Sequence, residues 1–164
     1  MTGKTTTRDA GSLPPSRCRR ILFCTDFSDN ARHAFDYAVD AAVRRPDSRL
    51  FLLHVIPEPE AQFWKTYIYE VQGVDDKAKA DIDAKLAEDY LPHIPAGLPY
   101  DVAVRIGRDY LKILEFAQEQ SVDMIVMGRS GKSGALGKLL FGNVIERVVR
   151  HADCPVLVVP HPAP

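Results

Sequence analysis

The sequence contains few cysteines, almost no net charge and no long apolar run. Cys18, Cys24 and Cys154 form no C-x-x-C pair, which fits reduced thiols rather than a disulfide framework or a zinc site. Lysine and arginine number 21 against 22 acidic residues, so nucleic acid and anionic membranes are not expected as main partners. No apolar run approaches the roughly 20 residues that span a bilayer, and the polar first residues hold no signal-peptide core. We therefore expect a cytoplasmic protein.

One domain accounts for the length and the composition. A chain of 164 residues that is 46% hydrophobic can bury one core, and nothing suggests a second domain. Residues 1–17 hold almost nothing apolar, so we expect a flexible N-terminal tail. The predicted domain covers residues 18–160, and residues 161–164 are a short C-terminal tail.

Short apolar runs alternate with segments of helical period. Ser28 is the expected N-cap of the first helical segment and Asp109 that of the third. This alternation predicts an α/β fold with a parallel sheet and helices on both faces. The last apolar run predicts a short edge strand, which favours burial against a second copy of the chain. The strand-like runs lie at 21–24, 50–56, 100–106, 124–127 and 156–159, and the helical segments at 31–42, 75–91, 110–120 and from 143.

A glycine-rich stretch follows the fourth apolar run. Gly128 ends that run, and four further glycines follow before a helical period begins at about Asn143. A strand, a glycine loop and a helix N-terminus together can hold phosphate, because free amides and the helix dipole converge there. Asn143 either caps this helix or contacts a phosphate, and the two roles are compatible.

Two common glycine signatures do not fit this stretch. A P-loop ending at Gly131-Lys132-Ser133 would need a glycine five residues before Gly131, where the chain has Val126. A dinucleotide fingerprint that starts at Gly128 would need a second glycine at Ser130. The spacing therefore excludes both.

The stretch resembles the ATP-binding type of the universal stress protein family, which carries G-x-x-G, nine residues and then G-[ST]. Gly128-Arg-Ser-Gly131 matches the first half and Gly142 opens the second, but ten residues intervene and Asn143 replaces the Ser or Thr. Three other stretches resemble the family too: Thr25-Asp26-Phe27-Ser28, Leu53-His54-Val55 and Cys154-Pro155-Val156.

The resemblance implies an adenine nucleotide alpha hydrolase-like, Rossmann-like fold, with an open five-stranded parallel sheet of strand order 3-2-1-4-5. It implies ATP with Mg²⁺ as the ligand, with Asp26 at the nucleoside and Val55 and Met127 at the adenine. The loop glycines would hold the phosphates, and no metal ligand from the protein can be named. The implied nucleotide-binding residues are Cys24, Thr25, Asp26, Val55, Met127, Gly128, Arg129, Gly131, Gly142, Asn143 and Val144.

The resemblance also implies a homodimer, because family members pair through the last strand. In this sequence the pairing edge would be Val156, Leu157, Val158 and Val159.

Three features have two interpretations each. Asp26 either contacts a ligand or bonds to its own turn. His54 is either catalytic or, with better support, a hydrogen-bonded residue of the core. The aromatic segment 57–72 either covers the crevice or forms a small cluster of its own.

The expected function is that of a stress-response protein with ATP as a switch or regulatory ligand. Asp26 is the only acidic candidate at the crevice and no residue is marked as a general base, so at most slow hydrolysis is expected. The alternative is an interaction module that binds no nucleotide, or one that binds AMP or a cyclic nucleotide. The longer loop and Asn143 support that alternative.

Overall fold

The computed structural model describes residues 18–57, 74–129 and 143–162. The predicted N-terminal tail, most of the aromatic segment 57–72 and the glycine-rich stretch beyond Arg129, up to Gly142, lie outside the described residues. Strands alternate with helices along the rest of the chain. The elements are β1 Arg20–Cys24, α1 Asp29–Val43, β2 Arg49–Pro57, α2 Val74–Asp89, β3 Tyr100–Gly107, α3 Asp109–Glu119, β4 Met124–Gly128, α4 Asn143–His151 and β5 Val156–Val159.

The five strands form one parallel sheet in the order β3-β2-β1-β4-β5, which confirms the predicted fold. The central strand β1 pairs with β2 on one side and with β4 on the other, so that Ile21 lies opposite both Leu50 and Met124. Strands β3 and β5 are the two edges. Because both faces of the inner strands are covered, β1 is an apolar run without alternation.

Two apolar cores lie on opposite faces of the sheet. Ile21 and Phe23 of β1 pack with α1 and with Leu86 of α2 on one face. Leu22 of β1 packs on the other face, where α3 and α4 contribute most of the helical side chains. Successive strand residues point to opposite faces, so one short strand serves both cores.

Three local predictions about the helices differ from the structure. Asp109 is the first residue of α3, and its N-cap is Arg108, which makes no side-chain capping bond. Asn143 is likewise the first residue of α4 rather than its cap. The second helix ends at Asp89, and a separate 3-10 helix at Leu91–His93 follows, with Pro92 in its first turn. The cap predictions were wrong because Asp and Asn are also favourable within a helical first turn, near the positive end of the dipole. Among the described helices, none is long and apolar enough to cross a membrane.

Candidate functional site

A cleft of about 300 Å³ opens at the carboxyl ends of β1, β2 and β4. It lies where the chain, having placed β2 and β3 on one side of β1, crosses to place β4 on the other. In open parallel sheets such a switch point leaves a crevice, since the connections on its two sides diverge. The N-terminal turns of α3 and α4 complete its walls with Asp109 and Asn143.

The turn after β1 carries Asp26 to the rim of the cleft. The Asp26 carboxylate accepts a hydrogen bond from the Ser28 amide at 2.9 Å, and Ser28 caps α1 by accepting from the Ala31 amide at 3.2 Å. Asp26 also lines the cleft and is exposed. The bond of Asp26 to its own turn is therefore confirmed. Its contact with a ligand stays a prediction, which the second carboxylate oxygen leaves open.

A hydrogen-bond network beneath the cleft holds this turn in place. The buried hydroxyl of Thr25 lies 2.6 Å from the Tyr90 hydroxyl and accepts from the Phe27 amide at 2.9 Å. His54 Nδ1 lies 2.8 Å from the Thr25 carbonyl oxygen, and its ring packs on Phe27 at 4.7 Å between centroids. These contacts support the left-handed conformation of Phe27, whose φ is 61°.

His54 is thus hydrogen-bonded, as the better-supported interpretation predicted, but it is only partly buried and lies beside the core rather than within it. Burial raises the pKa of Tyr90, and the hydrogen bond with Thr25 opposes that rise. The neutral phenol therefore remains available for hydrogen bonding with Thr25 throughout the physiological range.

The floor of the cleft is apolar. Leu53 and Val55 of β2 and Met127 of β4 line it, together with the buried Cys24. Burial raises the pKa of the Cys24 thiol above its ordinary value of 9.0, and a smaller effect from Cys154 adds to the rise. Cys24 is therefore a neutral, weakly polar surface rather than a nucleophile.

Gly128 is required by packing at the end of β4. A Cβ atom there would lie 2.5 Å from the Asn30 carbonyl oxygen and 2.8 Å from the Ala31 nitrogen. The backbone of the first turn of α1 thus crosses directly over this glycine. The Asn30 side chain also donates to the Arg129 carbonyl, which fixes the same crossing.

The beginning of α4 forms the polar wall of the cleft. Asn143 lines the cleft, and its side-chain oxygen accepts a hydrogen bond from Arg147 Nε at 2.8 Å. Val144 and Ile145 lie beside it in the same wall. An α-helix leaves the amides of its first turn without partners inside the helix, and that turn is the positive end of its dipole, so this wall suits an anion.

The cleft brings together eight of the predicted site residues, drawn from three strands or turns and one helix. Arg129 does not line it: the Arg129 amide donates to the Val159 carbonyl at 2.7 Å and extends the pairing of β4 with β5. Gly131 and Gly142 lie outside the described residues. The eight are Cys24, Thr25, Asp26, Val55, Met127, Gly128, Asn143 and Val144.

Five residues that line the cleft were not predicted: Ala31, Leu53, Asp109, Ile113 and Ile145. Leu53 lies two residues before Val55 and so points to the same face of β2, a signal that the strand period contained. Asp109 follows a strand end, as Asp26 does, and Ile113 lies one helical turn after it. The position of Asp109 after a strand and the spacing of Ile113 from it can both be read from the sequence. Only the packing of α3 on the sheet, however, places these two residues in the cleft.

A groove of about 590 Å³ lies at the amino ends of the strands, opposite the cleft. It is lined by Arg20, Ser48, Arg49 and residues 95–99. No predicted site residue lines this groove. Within the described ranges, histidine, cysteine, aspartate and glutamate form no group of three or more that could hold a metal ion.

The fold and the cleft define an open, doubly wound α/β protein with its ligand crevice at the topological switch point. A sequence profile described as that of the universal stress protein family matches residues 17–160. The chain belongs to the universal stress protein family.

Individual relatives agree with this assignment. Universal stress protein MJ0531 of Methanocaldococcus jannaschii is 31% identical over 150 residues, which cover 88% of this chain and 83% of the relative. The solved structure of protein MJ0577 of the same organism matches with a TM-score of 0.74 at 27% identity, over 90% of this chain and 99% of that one. A crystal structure of a universal stress protein in complex with cAMP matches with a TM-score of 0.62 at 27% identity, over 88% and 98% of the two chains.

Proposed function

We propose that this chain binds ATP, together with Mg²⁺, as a regulatory ligand in the stress response, and that it acts as a cytoplasmic homodimer. The observation that carries the proposal is the cleft at the switch point, which combines an apolar floor, the Asp26 carboxylate and the beginning of α4. The match to a universal stress protein in complex with cAMP supports an adenine nucleotide as the ligand class.

The cleft suits the chemistry of an adenine nucleotide. The adenine would lie against Val55 and Met127, since a flat apolar ring gains most from contact with apolar side chains. The free oxygen of Asp26 would accept hydrogen bonds from the ribose hydroxyls. The phosphates would then point toward the first turn of α4, where Asn143 and Val144 present a positive dipole end. The roles of Gly131 and Gly142 at the phosphates stay predictions from the sequence.

The residues of the cleft are compatible with Mg²⁺ bound through the nucleotide. Magnesium usually keeps several waters and is held by phosphates with one or two carboxylates rather than by a protein cage. Asp26 and Asp109 are the carboxylates that line the described part of the cleft. The metal would neutralise phosphate charge, while the protein residues orient the nucleotide.

We propose ATP as a switch ligand rather than a substrate. Rapid hydrolysis requires a group that orients water in line with the terminal phosphate. Asp26 accepts from the Ser28 amide and lies on the side proposed for the ribose. A turnover slow enough to leave ATP bound for long periods is compatible with this arrangement.

Isothermal titration of nucleotide-stripped protein with ATP, with and without Mg²⁺, tests the proposal. We expect micromolar binding by the wild-type chain. In Asp26→Ala the affinity for ATP should fall about tenfold or more, because the two ribose hydroxyls lose their charge-assisted hydrogen bonds to the carboxylate. Asp101→Ala is the matched control, since Asp101 is an exposed aspartate at the start of β3 that pairs with Arg49. Absence of heat and of thermal stabilisation at millimolar ATP would contradict the proposal.

The second candidate is a site for AMP or a cyclic nucleotide, or a protein module that binds no nucleotide. The cAMP complex of a 27% identical family member favours the first form, and the replacement of Ser or Thr by Asn143 is compatible with either. The same titration with AMP and cAMP separates these candidates from ATP. Tighter binding of AMP or cAMP than of ATP would select the second candidate.

The proposed homodimer would pair two β5 strands. β5 is an edge strand in the described sheet, and Leu157 exposes 37% of its surface there. An apolar edge gains both backbone hydrogen bonds and apolar burial when a second copy covers it.

A further inference from the structure

We propose that Arg147 and Arg108 form a cationic rim beside the cleft that binds the terminal phosphates of a nucleotide, and so selects ATP over AMP. This inference rests on the proposed function and assigns phosphate recognition to residues outside the glycine-rich stretch. Both arginines lie next to a cleft wall: Arg147 follows Asn143 by one turn of α4, and Arg108 directly precedes Asp109 at the start of α3.

The Arg147 guanidinium is held in one orientation by two neighbours. Its Nε donates to the Asn143 side-chain oxygen at 2.8 Å, and its Cζ lies 4.8 Å from the centre of the Tyr110 ring. Stacking on an aromatic face and one hydrogen bond fix the planar fork, and neither of these two contacts uses its terminal nitrogens. Asn143 itself lines the cleft, so the guanidinium lies one hydrogen bond behind the cleft wall.

Tyr110 also lies near a second arginine. Arg108 is the N-cap of α3 and precedes Tyr110 by two residues. Hydrogen bonding by the Arg108 guanidinium, and then by that of Arg147, lowers the pKa of the Tyr110 hydroxyl. Arg108 and Arg147 are thus neighbours of Asp109 and Asn143, which line two walls of the cleft.

Neither of these arginines is neutralised within the part of the chain that the structure describes. Other arginines on nearby elements are paired: Arg150 of α4 with Glu146 at 2.7 Å, and Arg105 of β3 with Glu119 at 3.4 Å. Among the described residues no carboxylate pairs with Arg108 or Arg147. A phosphate oxygen at either guanidinium would therefore form a charge-assisted hydrogen bond without first displacing a described carboxylate.

The rim also gives a role to the asparagine that departs from the family pattern. A Ser or Thr at position 143 would offer a short hydroxyl to the phosphates directly. Asn143 reaches farther and holds Arg147 instead, so that a full positive charge replaces the hydroxyl at the same helix end. In the proposed arrangement a single phosphate would lie next to the first turn of α4, inside the rim, and the second and third phosphates would extend to the rim. The rim therefore favours ligands with more phosphates.

The test compares ATP and AMP binding by isothermal titration at one fixed ionic strength, for the wild type, Arg147→Gln and Arg150→Gln. Arg150→Gln is the matched control, because it removes an arginine from the same exposed side of α4 that is already paired with Glu146. We expect Arg147→Gln to weaken ATP binding about tenfold and AMP binding less than about twofold, since one charge-assisted phosphate contact is lost. Arg108→Gln should shift the same ratio in the same direction by a smaller factor.

Each outcome has a definite meaning. Equal weakening of ATP and AMP in Arg147→Gln, or no change in either, would overturn the rim while leaving the nucleotide cleft intact. A wild-type chain that binds neither nucleotide would overturn both the rim and the proposed function. Thermal unfolding of the two variants controls for folding, and Arg147→Lys should recover part of the ATP preference because it restores the charge without the fork.

Discussion

At the scale of single residues, Gly128 connects the packing of the domain with the geometry of the cleft. The backbone of Asn30 and Ala31 crosses over it at distances that leave no space for a Cβ atom. A glycine at the end of β4 is thus explained by the approach of α1, before any contact with phosphate is considered. The packing role of Gly128 is thus independent of any role in phosphate binding.

Substitution Gly128→Ala should therefore lower the free energy of unfolding by about 3 kcal/mol, the upper part of the range for overpacked sites, because backbone must move. Urea denaturation of the ligand-free protein measures this loss. Gly97→Ala is the comparison, since a Cβ there meets nothing within 4 Å although φ is +88°. It should cost only about 1 kcal/mol, from backbone strain. Equal losses in the two variants would contradict the packing role.

Cys24 offers a second test at this scale, through the reactivity of thiols. Burial raises the pKa of Cys24, so it holds less thiolate than an ordinary cysteine as the pH rises through about 7 to 9, and its labelling should stay slow throughout. Burial also raises the pKa of Cys154, which is however partly exposed. With a thiol-specific reagent we expect Cys18 to react first and Cys24 last. Labelling of Cys24 at the rate of Cys18, read by mass spectrometry, would contradict its burial in the cleft floor.

At the scale of elements, β5 is the strand whose environment is least complete. Its partner β4 covers one side, and Leu157 remains 37% exposed on a strand of four residues. The Pro155 carbonyl accepts from the Ile125 amide of β4, and the Val159 carbonyl accepts from the Arg129 amide just after β4. Along a strand the backbone groups point alternately to its two sides, so other N–H and C=O groups of β5 point to the open edge. The open edge is therefore suited to a second strand.

Substitution Leu157→Lys should convert the proposed dimer to a monomer, because a charge placed at an edge strand opposes strand pairing. Sedimentation velocity measures the change. Leu111→Lys is the matched control: Leu111 is exposed to 38%, but lies on α3, away from β5. A wild-type monomer, or a dimer that survives Leu157→Lys and dissociates in Leu111→Lys, would contradict pairing through β5.

The sequence predicted these elements well where one local signal determined the outcome. The apolar runs gave all five strands, and Ser28 is the N-cap of α1 as its position before the helical period indicated. The order of the strands came from the family resemblance, because periodicity carries no information about which strands pair. Asp109 and Asn143 were misplaced by one residue, since caps and first-turn residues share the same chemistry.

At the scale of the whole molecule, the site was predictable only in part. Residues next to a recognisable motif, such as Asp26 and Met127, line the cleft as expected. Ile113 and Asp109 reach it because α3 packs beside α4 on one face of the sheet, a contact between elements that are distant in sequence. The stacking of Arg147 on Tyr110 belongs to the same long-range packing. Local patterns cannot give such contacts, since they depend on the crossing of helices over the completed sheet.

The two ends of the strands differ in chemistry. The cleft with its apolar floor lies at the carboxyl ends of the strands, and the groove lined by Arg20, Ser48 and Arg49 lies at their amino ends. We propose that the adenine nucleotide binds at the carboxyl ends of the strands, because the switch point and the two helix beginnings lie there.

Amide chemical-shift mapping of ¹⁵N-labelled protein during titration with Mg-ATP shows where the nucleotide binds. We predict the largest chemical-shift changes at the amides of Asp26, Val55, Met127 and Asn143. The amide shifts of Ser48 and Gly97, at the groove on the opposite side, should stay unchanged. Titration with magnesium chloride alone controls for effects of the metal. Shifts confined to the groove at the amino ends of the strands, or no shifts at saturating ATP, would contradict binding in the cleft.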